Sequence, residues 1–247
     1  MDKFNGKVVV VTGGNSGIGY ATAKEFASLG ASVVITGKRQ DALDRACVEL
    51  GVKAKLADQS DLGQIDELVA EIKETFGKVD VLFINAGVAF FAPVEHTSQE
   101  QFNTMVDVNF KGSFFMLQKF IPILKEGASV IFLTSGNTAL NMENSSVYSA
   151  SKSAISHVAK IAARELSSRK IRVNTINPGP TQTEMQHKFG MDKATLNGMK
   201  EIIISQVPLA RMGVPEDVAK MAVYLADDKV SSFITGAEFF IDGGMAL

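Results

Sequence analysis

The chain has 247 residues, 46% of them hydrophobic and 21% charged, the balance of an ordinary soluble globular protein. Its 25 basic and 27 acidic residues leave a formal net charge of −2, which excludes retention on a nucleic-acid backbone by bulk charge. The single cysteine, Cys47, excludes an intrachain disulfide and a thiolate cluster, and the scattered His96, His157 and His187 offer no i,i+4 pair, so no metal is expected.

Short β-branched runs alternate with longer amphipathic stretches. The runs are 8–12, 32–36, 52–57, 79–84, 129–134, 171–176 and 238–241, most of them continuously apolar. That is the pattern of strands buried on both faces of a parallel sheet. Between them, Ile18, Ala21, Phe26 and Leu29 share one helical stripe, and Leu62, Ile65, Leu68, Val69, Ile72 and Phe76 share another behind the capping candidates Ser60 and Asp61. Ile155, Val158, Ala159, Ala162 and Leu166 make a third. The alternation predicts an α/β fold: a Rossmann-type, doubly wound parallel sheet of about seven strands in a single domain spanning 1–247. The stretch from about 180 to 207, with Met185, Phe189, Met191 and Met199, follows the end of a strand and is expected to act as a lid. No apolar run approaches the ~20 residues that span a bilayer. The start, Met1 to Lys7, lacks the apolar core of a signal peptide, so a cytoplasmic, soluble protein with no membrane partner is expected.

The first strand leads through Thr12-Gly13-Gly14-Asn15-Ser16-Gly17-Ile18-Gly19 directly into a helix. Glycines let backbone N–H groups approach a pyrophosphate at the positive end of a helix. Gly13, Asn15, Ser16, Gly17, Ile18 and Gly19 are therefore the candidate phosphate contacts, although a plain strand-to-helix turn would also use such glycines. Gly14 and Gly19 have P-loop spacing, but Tyr20 stands where the phosphate-binding lysine must be, which excludes a P-loop NTPase. At the end of the second strand an NAD ribose would call for a carboxylate. The chain has Thr36-Gly37-Lys38-Arg39 instead, and two cations suit a ribose 2′-phosphate. NADP(H) is expected over NAD(H). Asp58 and Gln59, at the end of the third strand, are candidates for the adenine side.

Tyr148 and Lys152 lie four residues apart at a helix start, one turn from each other on one face. An unperturbed tyrosine with a pKa of about 10 is a poor base; a neighbouring ammonium favours the phenolate and brings it into acid–base range. Ser135 ends the fifth strand, where its hydroxyl could meet a substrate oxygen. It has no G-x-S-x-G surroundings, so a hydrolase is excluded.

Together these residues resemble the short-chain dehydrogenase/reductase family from Lys7 to Gly244. The matching motifs are Thr12-Gly13-x3-Gly17-x-Gly19, Asn85-Ala86-Gly87, Asn109, Ser135, Tyr148-x3-Lys152, Pro178-Gly179 and Asp242-Gly243-Gly244. The resemblance implies that Tyr148 is the acid in reduction and the base in oxidation, and that Ser135 holds the reacting oxygen. Lys152 would lower the tyrosine pKa and bind the nicotinamide ribose, with Asn109 holding a water of the proton relay. Asn85, Ala86 and Gly87 would support the adenine-ribose side, and Pro178, Gly179, Thr181 and Thr183 would flank the nicotinamide. Ile84 departs from the family's frequent Asn-Asn-Ala-Gly, a change assigned to strand packing. The family commonly builds a homotetramer with its last strand, and Phe239, Phe240 and Ile241 suit that.

The implied activity is hydride transfer between a nicotinamide and a ketone or secondary alcohol: a carbonyl reductase, with Asn137, Met142, Met185 and Phe189 as candidate pocket walls. Alternatives are a 3-oxoacyl-(acyl-carrier-protein) reductase, with Lys119, Lys125, Arg169 and Lys170 as its landing patch, an NAD-dependent alcohol or sugar dehydrogenase, and a protein that only senses the dinucleotide.

Overall fold

The computed structural model describes residues 3–183 and 193–247. Seven parallel strands form one sheet in the order β3-β2-β1-β4-β5-β6-β7. They are β1 (Val8–Val11), β2 (Ser32–Gly37), β3 (Lys53–Leu56), β4 (Val79–Ile84), β5 (Leu124–Leu133), β6 (Arg172–Pro178) and β7 (Glu238–Ile241). All seven predicted runs are strands. β5 starts five residues earlier than expected, because Leu124 pairs with Val79 across an irregularity in the β4 ladder and draws the polar Lys125-Glu126-Gly127 into the strand.

The helices are α1 (Gly17–Ser28), α2 (Gln40–Leu50), α3 (Leu62–Phe76), α4 (Gln99–Met105), α5 (Ser113–Phe120), α6 (Ser146–Glu165), α7 (Lys193–Ser205), α8 (Pro215–Ala226) and the short α9 (Asp228–Ser231). A π-helical turn, Val106–Gly112, joins α4 to α5. The predicted lid contains α7, while Met185, Phe189 and Met191 lie outside the described residues.

Successive strand residues face opposite layers, and each layer is closed by its own helices. Val10, Leu82, Val130 and Phe132 meet Ile65, Leu68 and Ile72 of α3, Leu117 and Phe120 of α5, and Ile155 and Ala159 of α6. Val9, Val11, Val81, Phe83 and Ile131 meet Phe26 of α1, Leu43 of α2, and Val218 and Ala222 of α8. Burying a side chain of this size is worth roughly 1.5–3 kcal/mol, which is why the runs are apolar throughout. Strand order reverses at β1, which pairs with both β2 and β4. The crevice beyond the carboxyl ends of β1 and β4 is where such a sheet receives a ligand.

Candidate active site

A cleft of about 360 Å³ opens at that crevice. At one end is the glycine loop after β1. Gly17 has φ of +55°, a conformation that a side chain disfavours. A Cβ at Gly19 would lie 2.2 Å from Gly13 O, so the loop folds tightly onto the start of α1. The buried Thr12 hydroxyl accepts from the N–H groups of Asn85 (3.0 Å) and Ala86 (2.9 Å), and Asn85 Nδ2 donates to Thr12 O and Gly13 O at 2.8 and 3.1 Å. Asn85 thus braces the loop from behind. The loop's Gly13, Asn15, Ser16, Gly17 and Ile18 line the cleft, whereas Gly19 is packed beneath it. Across from them Thr183 Cγ2 comes within 3.4 Å of where a Gly17 Cβ would stand. Pro178, Gly179, Thr181 and Thr183 therefore form the facing wall.

At the tip of β2, a Cβ on Gly37 would lie 2.5 Å from Asn15 Oδ1. A carboxylate there would have to displace Asn15. The next two side chains, Lys38 and Arg39, are exposed, line the cleft, and make no hydrogen bond or ion pair with a described residue. Beyond β3, Asp58 Oδ1 accepts from Ser60 N (2.9 Å) and Ser60 Oγ (2.7 Å). Asp61 is the α3 cap, accepting from Gly63 N (2.9 Å) and Gln64 N (3.2 Å). Gln59 reaches the cleft too, but its amide nitrogen is directed at protein acceptors.

At the other end of the cleft, Ser135 follows β5 and Tyr148 and Lys152 stand in the first turns of α6. Tyr148 and Ser135 both line this end of the cleft, with the serine hydroxyl near enough to favour the phenolate. Ser135 Oγ also accepts from Asn137 N at 3.2 Å. Lys152 is 5% exposed and donates to Leu133 O at 2.8 Å. Asn109 is fully buried in the π-helical turn, a distortion frequent at functional sites. Its Oδ1 accepts from Val88 N at 2.8 Å, and its Nδ2 donates to Val88 O at 2.9 Å and Ser151 Oγ at 3.1 Å. A Cβ on Gly87 would be 3.2 Å from both Asn109 Oδ1 and Lys152 Nζ, so this glycine leaves room for the two groups to converge.

The electrostatics differ from the sequence expectation. Burial holds the Tyr148 phenol above its ordinary pKa, with the neighbouring Ser135 hydroxyl pulling the other way. Burial also lowers Lys152 from 10.5 to about 8. The ammonium was expected to depress the phenol; in the nucleotide-free cleft burial instead raises the phenol and lowers the lysine, whose ammonium donates to Leu133 O.

A family model described as enoyl-(acyl carrier protein) reductase matches residues 13–246. The chain belongs to the short-chain dehydrogenase/reductase family. This dehydrogenase/reductase is 36% identical to the NADP-dependent (R)-specific alcohol dehydrogenase of Lentilactobacillus kefiri, over 98% of each chain. It is 34% identical to the 3-oxoacyl-(acyl-carrier-protein) reductase of Thermotoga maritima, over 99% of this chain and 100% of that one. The crystal structure of levodione reductase superposes with a TM-score of 0.93 at 29% identity, covering 98% of each chain. The protein is an oxidoreductase of alcohol and carbonyl groups, from a family that uses nicotinamide cofactors.

Beside Tyr148 stands Phe91, which the sequence reading missed. Its ring lies 5.7 Å from that of Tyr148, tilted by 59°, and is 46% exposed. Phe90 beside it is 39% exposed, and Met142, a predicted wall, 43%. Ala92 N donates to Asn144 O at 2.9 Å, tying the two loops that carry them. The available signal was a pair of phenylalanines four residues after Ala86-Gly87, too short a pattern to place beside Tyr148.

Proposed function

We propose that the protein is an NADP(H)-dependent carbonyl reductase acting on ketones and secondary alcohols with apolar substituents. The convergence of Tyr148, Ser135 and Lys152 on the same cleft as the glycine loop carries this reading. The cleft fits a dinucleotide: tightly folded glycines at one end, exposed Lys38 and Arg39 past Gly37, and Asp58, Gln59, Asn85, Ala86 and Gly87 between the ends. Lys38 and Arg39 would take a 2′-phosphate, and Asn15 against Gly37 disfavours the carboxylate an NAD ribose calls for.

The bound nicotinamide would supply or accept the hydride. Burial favours the protonated form of Tyr148, which suits it to protonate a carbonyl oxygen during reduction. Ser135 donates a hydrogen bond to that oxygen and holds it by the phenol. Lys152, at about 8, gains and loses a proton near neutral pH and so can resupply Tyr148. Its ammonium has three donors, of which one goes to Leu133 O, leaving two for ribose hydroxyls. Asn109 holds the next site of the relay.

Phe91, Phe90 and Met142 present the apolar wall, with Asn137 at the Ser135 end. Met185 and Phe189, the other two candidate walls, lie outside the described residues. Acyl-carrier-protein docking on the candidate patch is disfavoured by its position at the amino ends of β5 and β6, away from Ser135. Lys119 is paired with Asp66, Lys125 with Asp80 at 3.2 Å and Lys170 with Glu126 at 2.7 Å; Arg169 donates to Ile121 O and Leu124 O.

A homotetramer is supported by exposed large apolar side chains. They include Phe102 of α4, Phe114 of α5 and Ile161 of α6, and, towards the carboxyl end of the chain, Tyr224, Phe233 and Phe240, the last in the edge strand β7. A tetramer of D2 symmetry needs at least two self-complementary surfaces. The deciding experiment for the activity is Tyr148→Phe, assayed on a ketone panel with NADPH. Turnover should fall by about 10²–10⁴-fold with NADPH affinity unchanged; a fully active variant overturns the mechanism.

A further inference from the structure

Gln59 lies just past the tip of β3 and is 5% exposed. Its Nε2 faces three acceptors from distant parts of the chain: Ala86 O at 3.1 Å, Val108 O at 3.0 Å and Ser113 Oγ at 3.1 Å. Two of these are carbonyl oxygens, so the amide cannot turn over without setting its own oxygen against them. Oε1 is buried and has no hydrogen-bond partner among the described residues, at a cost that such groups commonly carry. The side chain keeps its orientation because of what its nitrogen holds.

The second observation is steric. A Cβ on Gly112 would lie 2.3 Å from Gln59 O and 2.9 Å from Gln59 Cγ. Residue 59 therefore touches the π-helical turn at its end, Gly112, and hydrogen-bonds to Val108 within it. The amide then joins that turn to Ala86, on the loop that passes Lys152 at Gly87.

Asn109, one residue beyond Val108, spans the same gap through its two hydrogen bonds to Val88. Two side-chain amides thus form adjacent rungs between one loop and one turn. Asn109 also donates to Ser151 Oγ, which donates to Tyr148 O at 2.7 Å, so the linkage continues into the first turn of α6.

We propose that Gln59 is a positioning residue for the proton relay: its amide clamps the π-helical turn to the Ala86 loop and sets where Asn109 stands beside Lys152. The proposal rests on the roles of Tyr148, Lys152 and Asn109 given above. It assigns to the side chain a task separate from any contact of residue 59 with the adenine.

The test is a double-mutant cycle of Gln59→Leu and Asn109→Ala in the NADPH-saturated enzyme, with kcat followed across pH and amide exchange followed at Val88. Gln59→Leu should lower kcat about tenfold, the equivalent of one buried hydrogen-bonding defect, and shift the alkaline limb of the kcat profile. It should also speed exchange of the Val88 N–H. In the Asn109→Ala background it should cost no further activity, because both changes act through one group. A lower Tm with unchanged kcat, pH profile and Val88 exchange would overturn the proposal, as would multiplicative losses in the double variant. Full activity of Tyr148→Phe would instead sink the catalytic reading, while Val88 exchange would still report on the clamp. Should Gln59→Leu not fold, Gln59→Asn, with the same amide on a shorter stem, carries the same measurements.

Discussion

Replacing Lys152 by methionine should make the nucleotide-free protein's stability relative to wild type depend on pH in a defined way. The lysine is 5% exposed and its pKa falls from 10.5 to about 8 on folding. At about 1.4 kcal/mol per unit, the folded state carries a penalty of about 3 kcal/mol at pH 7 for keeping this ammonium buried. Because the folded pKa lies below the unfolded one, the unfolded chain binds more protons between those values, and stability rises with pH across that window. By pH 10 the penalty has shrunk to about 1 kcal/mol. Methionine removes the charge at similar length but leaves Leu133 O without its donor, a loss of about 1–3 kcal/mol that does not vary with pH. At pH 7 the variant should therefore equal or exceed wild type, and by pH 10 it should equal it or fall below. The change in their difference, about 2 kcal/mol, corresponds to about 4–8 °C in Tm for a chain of this size. Denaturant melts at the two pH values measure it, and the protein's other ionisations cancel in the difference. An equal gap at pH 7 and pH 10 would show that Lys152 titrates as an ordinary solvated lysine. The variant should also be inactive, since the buried charge that weakens the fold is the one the relay needs.

Neutralising Lys38 and Arg39 together should weaken NADPH binding by about 10–100-fold, as loss of charge-assisted bonds to a phosphate would, while NADH binding hardly changes; fluorescence titration at fixed ionic strength checks this, and equal losses would refute the 2′-phosphate assignment. Phe91→Ala should raise KM for bulky apolar ketones about tenfold, one aromatic contact's worth, and leave acetone-sized substrates little affected; a uniform fall in kcat would mean that the ring only props Tyr148. Light scattering at micromolar concentration should report a tetramer, and a monomer would refute the role given to the exposed apolar side chains.

The short-range features of this chain were legible before folding was considered. Continuous β-branched runs announced strands buried on two faces, and all seven formed. The strand–glycine–helix sequence announced the loop, and the four-residue spacing put Tyr148 and Lys152 on one helical face. These follow from backbone propensity, from the period of a strand or helix, and from the absence of a Cβ, all of which act within a few residues.

Other features depend on residues far apart in the chain. The early start of β5 comes from Leu124 meeting Val79, and nothing in Lys125-Glu126-Gly127 announces a strand. Phe91 reaches Tyr148 only because two loops are tied at Ala92 and Asn144. Gln59, which reads as an adenine contact, has its amide committed to acceptors up to 54 positions away. The spacing of Tyr148 and Lys152 set their proximity, but how far each was removed from water set the direction of both pKa values. A sequence pattern specifies neighbours along an element; desolvation and the choice of hydrogen-bond partner are properties of whatever packs over them, and only the assembled sheet and its helices supply that.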